Sequence, residues 1–223
     1  MSDIDDWDAV DPLWSAVDQL IELRLLNTDA ALTGVIERCK SAGLPDIAVS
    51  PSQGKFLQML AEVKGARRVL EIGTLGGYST IHLARAVGAK GLVVSLESNV
   101  DYARIAEENI AAAGCKRQVD VRVGEALESL ELLTGPFDMT FIDADKVNNI
   151  AYVEHAVRLS EKGALIVVDN AVRAGDVLDP QDESAIGTRA LYEHLENHRR
   201  LEGTALQTVG DKGWDGMMIL RVL

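Results

Sequence analysis

Apolar positions recur along this chain with two different periods. Over LWSAVDQLIELRLL they fall at Leu13, Val17, Leu20, Ile21 and Leu25, the spacing of one helix face. A second helix is expected over residues 28–39, closed by Gly43 and Pro45. A third opens at PSQGKFLQMLAEV, with Ser50 as N-cap and Pro51 at its first position. After Gly65 the texture changes. RVLEIG, GLVVSLE, VDVRVG, FDMTFID and GALIVVDN are short runs rich in Val, Ile and Leu, each bounded by glycine or a charge. Amphipathic stretches lie between them: YSTIHLARAV, NVDYARIAEENIAAAG, EALESLELL and NIAYVEHAVRLSEK.

Strands alternating with helices require crossover connections, which are right-handed and build a parallel sheet covered on both faces. A last helix, SAIGTRALYEHLENHRR, precedes two runs, LEGTALQTV and GMMILRVL, and the GDKGWD between them suits an antiparallel hairpin. The expected fold is α/β: a doubly wound, Rossmann-like sheet with a C-terminal hairpin and an N-terminal helical annex. The whole chain, 1–223, reads as a single domain, with 1–64 as the annex and 65–223 as the core.

Composition narrows the function classes. A chain of 223 residues, 47% apolar and 26% charged, can bury one large core. Its net charge of −13 argues against a nucleic-acid backbone or an anionic membrane as partner, since both need a basic footprint. Cys39 and Cys115 have neither metal nor framework spacing, which suits a reducing cytoplasm. The acidic start, MSDIDDWDAVDP, is unlike a signal or transit peptide. No apolar run approaches the ~20 residues that span a bilayer.

In doubly wound sheets ligands gather beyond the carboxyl ends of the strands, and three of those ends carry chemistry. The first is VLEIGTLGGYST. Gly73, Gly76 and Gly77 allow a sharp turn and close approach to a ligand, before a helix opening at Tyr78. The G-x-G-x-x-G dinucleotide fingerprint fails here, because Leu75 stands two positions after Gly73. The second is Glu97, closing VVSLE, where a carboxylate can accept hydrogen bonds from both hydroxyls of a ribose. The third joins FIDADK to LIVVDN. Asp143 ends one strand and Asp169 with Asn170 ends the next, an oxygen-rich set suited to Mg²⁺ or another hard cation. Each feature alone also has a plainer reading: a tight connection without ligand, a solvated acid, a capped strand followed by an Asp-Asn turn. The coincidence of two strand ends, each following a buried run, favours the metal.

Taken in order, VLEIGTLGGYST, the Glu97 strand end, FIDADK and VVDN resemble the cation-dependent O-methyltransferases that use S-adenosylmethionine, the catechol and caffeoyl-CoA O-methyltransferase group. The likeness runs from about Val49 to the closing GWDGMMILRVL, and DNAVRAGDV and KGWDG are more similar to bacterial than to plant members. The resemblance implies a class I methyltransferase sheet and a methyl-donor pocket. Val49, Glu71, Gly73 and Thr74 would hold the methionine part, with Ser79 at the next helix start. Glu97 would grip the ribose, and Ala126 would meet the adenine through its backbone. Asp143 would serve both donor and metal, with Asp169 and Asn170 completing the metal's protein ligands and Lys146 as catalytic base. It also implies a homodimer and a small hydroxylated aromatic acceptor.

The chemistry agrees with these residue types. Transfer from a sulfonium needs a deprotonated oxygen, and a phenol-like hydroxyl with a pKa of about 10 is scarcely ionised at neutral pH. A hard cation favours the oxyanion, and a lysine beside it can take the proton. Asp145 reads as solvated or supporting. His82 and His155 read as helix-surface or half-buried residues. His194 and His198 have a zinc-compatible spacing but lie in a charged, solvated helix. Trp7 and Trp14 fit a partner subunit, a substrate or helix packing equally well. Two rival functions remain: a non-catalytic S-adenosylmethionine-binding protein, for which Lys146 and Asn170 would be superfluous, and a nicotinamide-dependent oxidoreductase, for which the fingerprint is missing.

Overall fold

The computed structural model describes residues 11–27 and 29–223, so Trp7 and the start expected for the second helix at Thr28 lie outside the described residues. The annex comprises α1 (Pro12–Leu25), α2 (Ala30–Ser41) and α3 (Pro51–Lys64). The Ser50 side chain accepts the Gln53 N–H at the start of α3, and Pro51 occupies its first turn, as their residue types require.

The core follows the two-period pattern. Its strands are β1 (Arg68–Ile72), β2 (Leu92–Glu97), β3 (Val119–Val123), β4 (Phe137–Ile142), β5 (Ser160–Asp169), β6 (Leu201–Gly210) and β7 (Gly213–Val222). The helices between them are α4 (Tyr78–Val87), α5 (Val100–Ala112), α6 (Ala126–Leu132), α7 (Asn149–Arg158) and α8 (Glu183–Leu195). The sheet order is β3-β2-β1-β4-β5-β7-β6, parallel from β3 to β5, with β7 antiparallel to both β5 and β6. Successive strand side chains alternate between the two faces. Leu70, Ile72, Leu96 and Ile142 pack with α6, α7 and α8, whereas Val69, Val93, Met139 and Phe141 pack with the annex, α4 and α5. Each such fully buried side chain stabilises the fold by about 1.5–3 kcal/mol.

Three expected boundaries shift. The helix expected to reach Lys162 stops at Arg158, because the Leu159 carbonyl accepts the Phe137 N–H at 2.8 Å and the chain joins the sheet at Ser160. The last helix ends at Leu195 rather than Arg200, and the Arg200 carbonyl accepts the Leu223 N–H at 2.8 Å. The hairpin connection shrinks to Asp211 and Lys212, since Gly210 already pairs with Gly213, and most of GDKGWD becomes strand. The apolar face of α1 forms as a helix, yet α1 buries none of its residues, and Leu13, Val17 and Leu20 are exposed. Among the described residues no helix is long and apolar enough to cross a membrane.

Candidate active site

The chain runs outward from β1 to β3 and then returns to β4 on the other side of β1, so the strand order reverses between β1 and β4. The crevice at that reversal is where the turns after both strands meet. Gly73 leaves β1 with φ +98°, and a Cβ there would lie 2.1 Å from the Asp143 carbonyl oxygen. Only glycine allows the two strand ends to close so tightly. The turn then passes through Leu75 at φ +48°, an unfavourable value for a side-chain-bearing residue. Glu97 at the end of β2 holds it there: one carboxylate oxygen accepts the N–H of Thr74 at 3.2 Å and of Leu75 at 2.8 Å, the other that of Asn99 at 2.9 Å.

Beneath the turn sits Glu71, fully buried on the α4 face of β1. It accepts hydroxyl hydrogen bonds from Ser79 at 2.6 Å, Thr80 at 2.5 Å and Ser95 at 2.6 Å. Burial pushes its carboxyl up to about 7, against the pull of the three hydroxyls, and the Asp143 charge adds to the rise. The folded protein therefore retains a proton on Glu71 between pH 4.5 and 7 that the unfolded chain has released. That part of the stability is present at acid pH and is lost as pH climbs through this window. A rise of this size corresponds to about 3 kcal/mol. Glu71→Gln, which cannot titrate, is expected to become steadily more stable relative to wild type from pH 5 to 8, measured by denaturant unfolding. Parallel stability curves would contradict the assignment.

The charged cluster forms at the ends of β4 and β5. Lys146 is buried with its Nζ 3.1 Å from Asp143 Oδ1. Asp169 is buried beside them. Its Oδ1 accepts the Gln53 side-chain amide at 2.7 Å and the Asn170 N–H at 2.9 Å. Burial and the neighbouring Asp143 charge push the Asp169 carboxyl up to about 7, with Lys146 pulling the other way. Asn170 follows at φ +57°. Asp145 is exposed at the rim of the same crevice and accepts from the Tyr152 hydroxyl at 2.5 Å and the Asn148 amide at 2.6 Å.

Val49, Gly73, Thr74, Ser79, Glu97, Ala126, Asp143, Lys146 and Asn170 all line one cavity of about 580 Å³. Glu71 and Asp169 do not line it; they lie just beneath its wall. Tyr78, Tyr102, Tyr152 and Arg173 share the lining and carried no distinguishing signal in the sequence. Gln53 and Asp215 were missed too, because each acts across more than 40 positions of chain.

Comparison with known proteins meets this geometry. A family described as O-methyltransferase matches residues 27–222. The chain belongs to the O-methyltransferase family. It is 49% identical over 208 residues to a catechol O-methyltransferase of Mycobacterium tuberculosis, covering 92% of this chain and 94% of that one. It is 44% identical over 213 residues to a catechol O-methyltransferase of Niastella koreensis, covering 93% and 96%. The crystal structure of a Bacillus cereus O-methyltransferase in complex with SAH superposes with a TM-score of 0.92 at 47% identity, covering 95% of this chain and 99% of that one. The expected class I methyltransferase sheet is thus the observed one, and the chain is an S-adenosylmethionine-dependent O-methyltransferase.

Two histidine expectations change in this methyltransferase. His82 is buried, not half-exposed: Gly54 leaves room for its ring, Nδ1 lies 3.1 Å from Gln58 Oε1, and burial lowers its pKa to about 4. His194 and His198 are half-buried rather than solvated, with Nε2 atoms 2.7 and 3.1 Å from Glu154 Oε1. They tie α7 to the end of α8, far in sequence from the crevice.

Proposed function

We propose that this O-methyltransferase is cation-dependent and moves the methyl group of S-adenosylmethionine to one hydroxyl of a small aromatic diol. The observation that carries the reading is the cluster of Asp143, Asp169 and Asn170 around Lys146. Two carboxylates sit close enough for one charge to raise the other's pKa, in a largely desolvated place. A hard cation relieves that repulsion, and two carboxylates with one amide oxygen are the donor types it takes. Asp169 Oδ1 is committed to two N–H groups, which leaves Oδ2 for such a ligand. When bound, Mg²⁺ or a similar ion would neutralise these carboxylates and act as a Lewis acid toward the two adjacent acceptor oxygens.

The chain's own residues supply the rest. Lys146 lines the cavity within reach of Asp143 and, once neutral, accepts the acceptor's hydroxyl proton at Nζ. The resulting oxyanion attacks the methyl carbon in line with the departing sulfur, giving the methyl ether and S-adenosylhomocysteine. Glu97 and the backbone of the Gly73 turn hold the donor by its ribose and methionine ends, with Val49, Ser79 and Ala126 lining the same space. Glu71 acts from beneath, fixing the Ser79 and Thr80 hydroxyls at the start of α4. Fixing donor and acceptor in this alignment removes much of the entropic barrier. The names of the Mycobacterium tuberculosis and Niastella koreensis relatives support a catechol-like acceptor.

We read the whole chain as one methyltransferase domain that works as a homodimer, a reading supported by the exposed apolar face of α1. The free thiols of Cys39 and Cys115 fit a cytoplasmic place of action. The test is methyl transfer from labelled S-adenosylmethionine to a panel of catechols, with Mg²⁺ and then with excess chelator. Transfer is expected with Mg²⁺ and is expected to vanish on chelation. Undiminished transfer in chelator would end the cation reading.

A further inference from the structure

Asn170 presents a choice that its own position does not settle. An amide carries an oxygen on one side and an NH₂ on the other, and only the oxygen can face a cation. Its partner across the sheet decides. The Asn170 Nδ2 lies 3.0 Å from Asp215 Oδ2, and a carboxylate only accepts, so the NH₂ must point to Asp215 and the oxygen away from it.

Asp215 is itself held from three sides. Its Oδ1 accepts the backbone N–H of Val172 at 3.0 Å, of Arg173 at 2.9 Å and of Gly216 at 2.8 Å. The first two bonds reach into the loop after β5, where Asn170, Arg173 and Ala174 all have positive φ near +50° to +57°. Residues with side chains keep such a conformation only when their surroundings impose it. Asp215 stands on β7, opposite Thr208 of β6, two residues before Met217 pairs with Asp169. The rigid sheet therefore sets where its carboxylate lies.

We propose that Asp215 is a positioning residue of the methyltransferase: it locks the Asn170 amide with its oxygen toward the cluster of Asp143 and Asp169, and holds the strained loop that carries it. The inference rests on the cation reading above. It assigns Asp215 no contact with cation, donor or acceptor, since Asp215 does not line the cavity.

The geometry makes a swap test specific. In Asp215→Asn the three backbone N–H groups fix the new amide's oxygen at the old Oδ1 position, so its NH₂ must face Asn170. Asn170 then turns its oxygen to residue 215 and its NH₂ toward the cluster. The loop anchor survives, but the cation meets a donor. Mn²⁺ affinity, titrated by electron paramagnetic resonance, is expected to fall roughly 10- to 100-fold, the usual cost of losing a partner that orients a ligand. S-adenosylhomocysteine affinity in chelator and the melting temperature are expected to stay near wild type.

The double variant Asn170→Asp/Asp215→Asn restores a matched pair with the same total charge: the amide of residue 215 donates to one oxygen of the new carboxylate and leaves the other for the cation. Its Mn²⁺ affinity is expected within a few-fold of wild type. Unchanged Mn²⁺ affinity in Asp215→Asn would overturn the proposal. So would an equal loss in the single and double variants together with a lowered melting temperature, which would make Asp215 a loop anchor only. A wild-type protein whose Mn²⁺ binding is absent, or insensitive to Asp169→Ala, would overturn the cation reading itself, and that result is separate from either of the others.

Discussion

Lys146→Ala is expected to lower kcat for methyl transfer by roughly 10²–10⁴-fold, the usual contribution of a positioned general base. Lys146 is buried at the cavity wall and makes its ion pair with Asp143 at 3.1 Å. Removing it leaves the glycine turn, Glu97 and their mutual hydrogen bonds in place. Donor affinity is therefore expected to stay within a few-fold of wild type, by titration with S-adenosylhomocysteine. Lys146→Arg is expected to stay inactive, because a guanidinium holds its proton too tightly to become a base. A loss of donor affinity beyond tenfold in the alanine variant, or full activity in the arginine variant, would replace the base with a structural role.

Gly73→Ala is expected to be the most damaging single-methyl change in the crevice. The added Cβ would lie 2.1 Å from the Asp143 carbonyl oxygen and 2.8 Å from its carbon, and both contacts are backbone. No side chain can swing aside, so the ends of β1 and β4 must separate. A φ of +98° adds conformational strain for any residue with a Cβ. Strain and overpacking of this kind each cost about 1–3 kcal/mol, so a destabilisation of roughly 3 kcal/mol or more is expected in denaturant unfolding. Protein that folds is expected to bind S-adenosylhomocysteine much more weakly, because the turn and Asp143 move together. A variant with wild-type stability and affinity would show that the two strand ends can part freely.

How much was legible in the chain differs from element to element. Strands β1, β2, β4 and the second half of β5 announced themselves because each is a dense apolar run that the sheet buries, and such runs have few alternatives. The edge strand β3, with no buried residue, showed only as the alternating VDVRV. The start of α3 was legible to the residue, since Ser50 and Pro51 act on their own neighbours. Helix ends were less so: NIAYVEHAVRLSEK keeps its amphipathic texture to Lys162, and only the β4 edge, recruiting Leu159, stops it at Arg158. The same distinction runs through the site. Gly73, Glu97, Asp143 and Asp169 stand at strand ends, and the βαβ rule alone gathers strand ends into one crevice.

The sequence by itself determined the fold class, the parallel core and the residue types of the site, because periodicity, glycine and strand-end charge are local properties that survive without neighbours. Tertiary structure alone decided which groups reach the cavity and which stand behind it. Glu71 and Asp169 fall below the wall because both still lie within their strands, whereas Gly73 and Asn170 stand just past the strand ends, and the hydroxyls that surround Glu71 come from α4 and β2. Gln53 meets Asp169 across 116 positions, and Asp215 meets Asn170 across 45. No pattern in a linear chain encodes such meetings: they depend on which strand lies beside which, and β7 reaches β5 only because the hairpin folds back with its second strand inside its first.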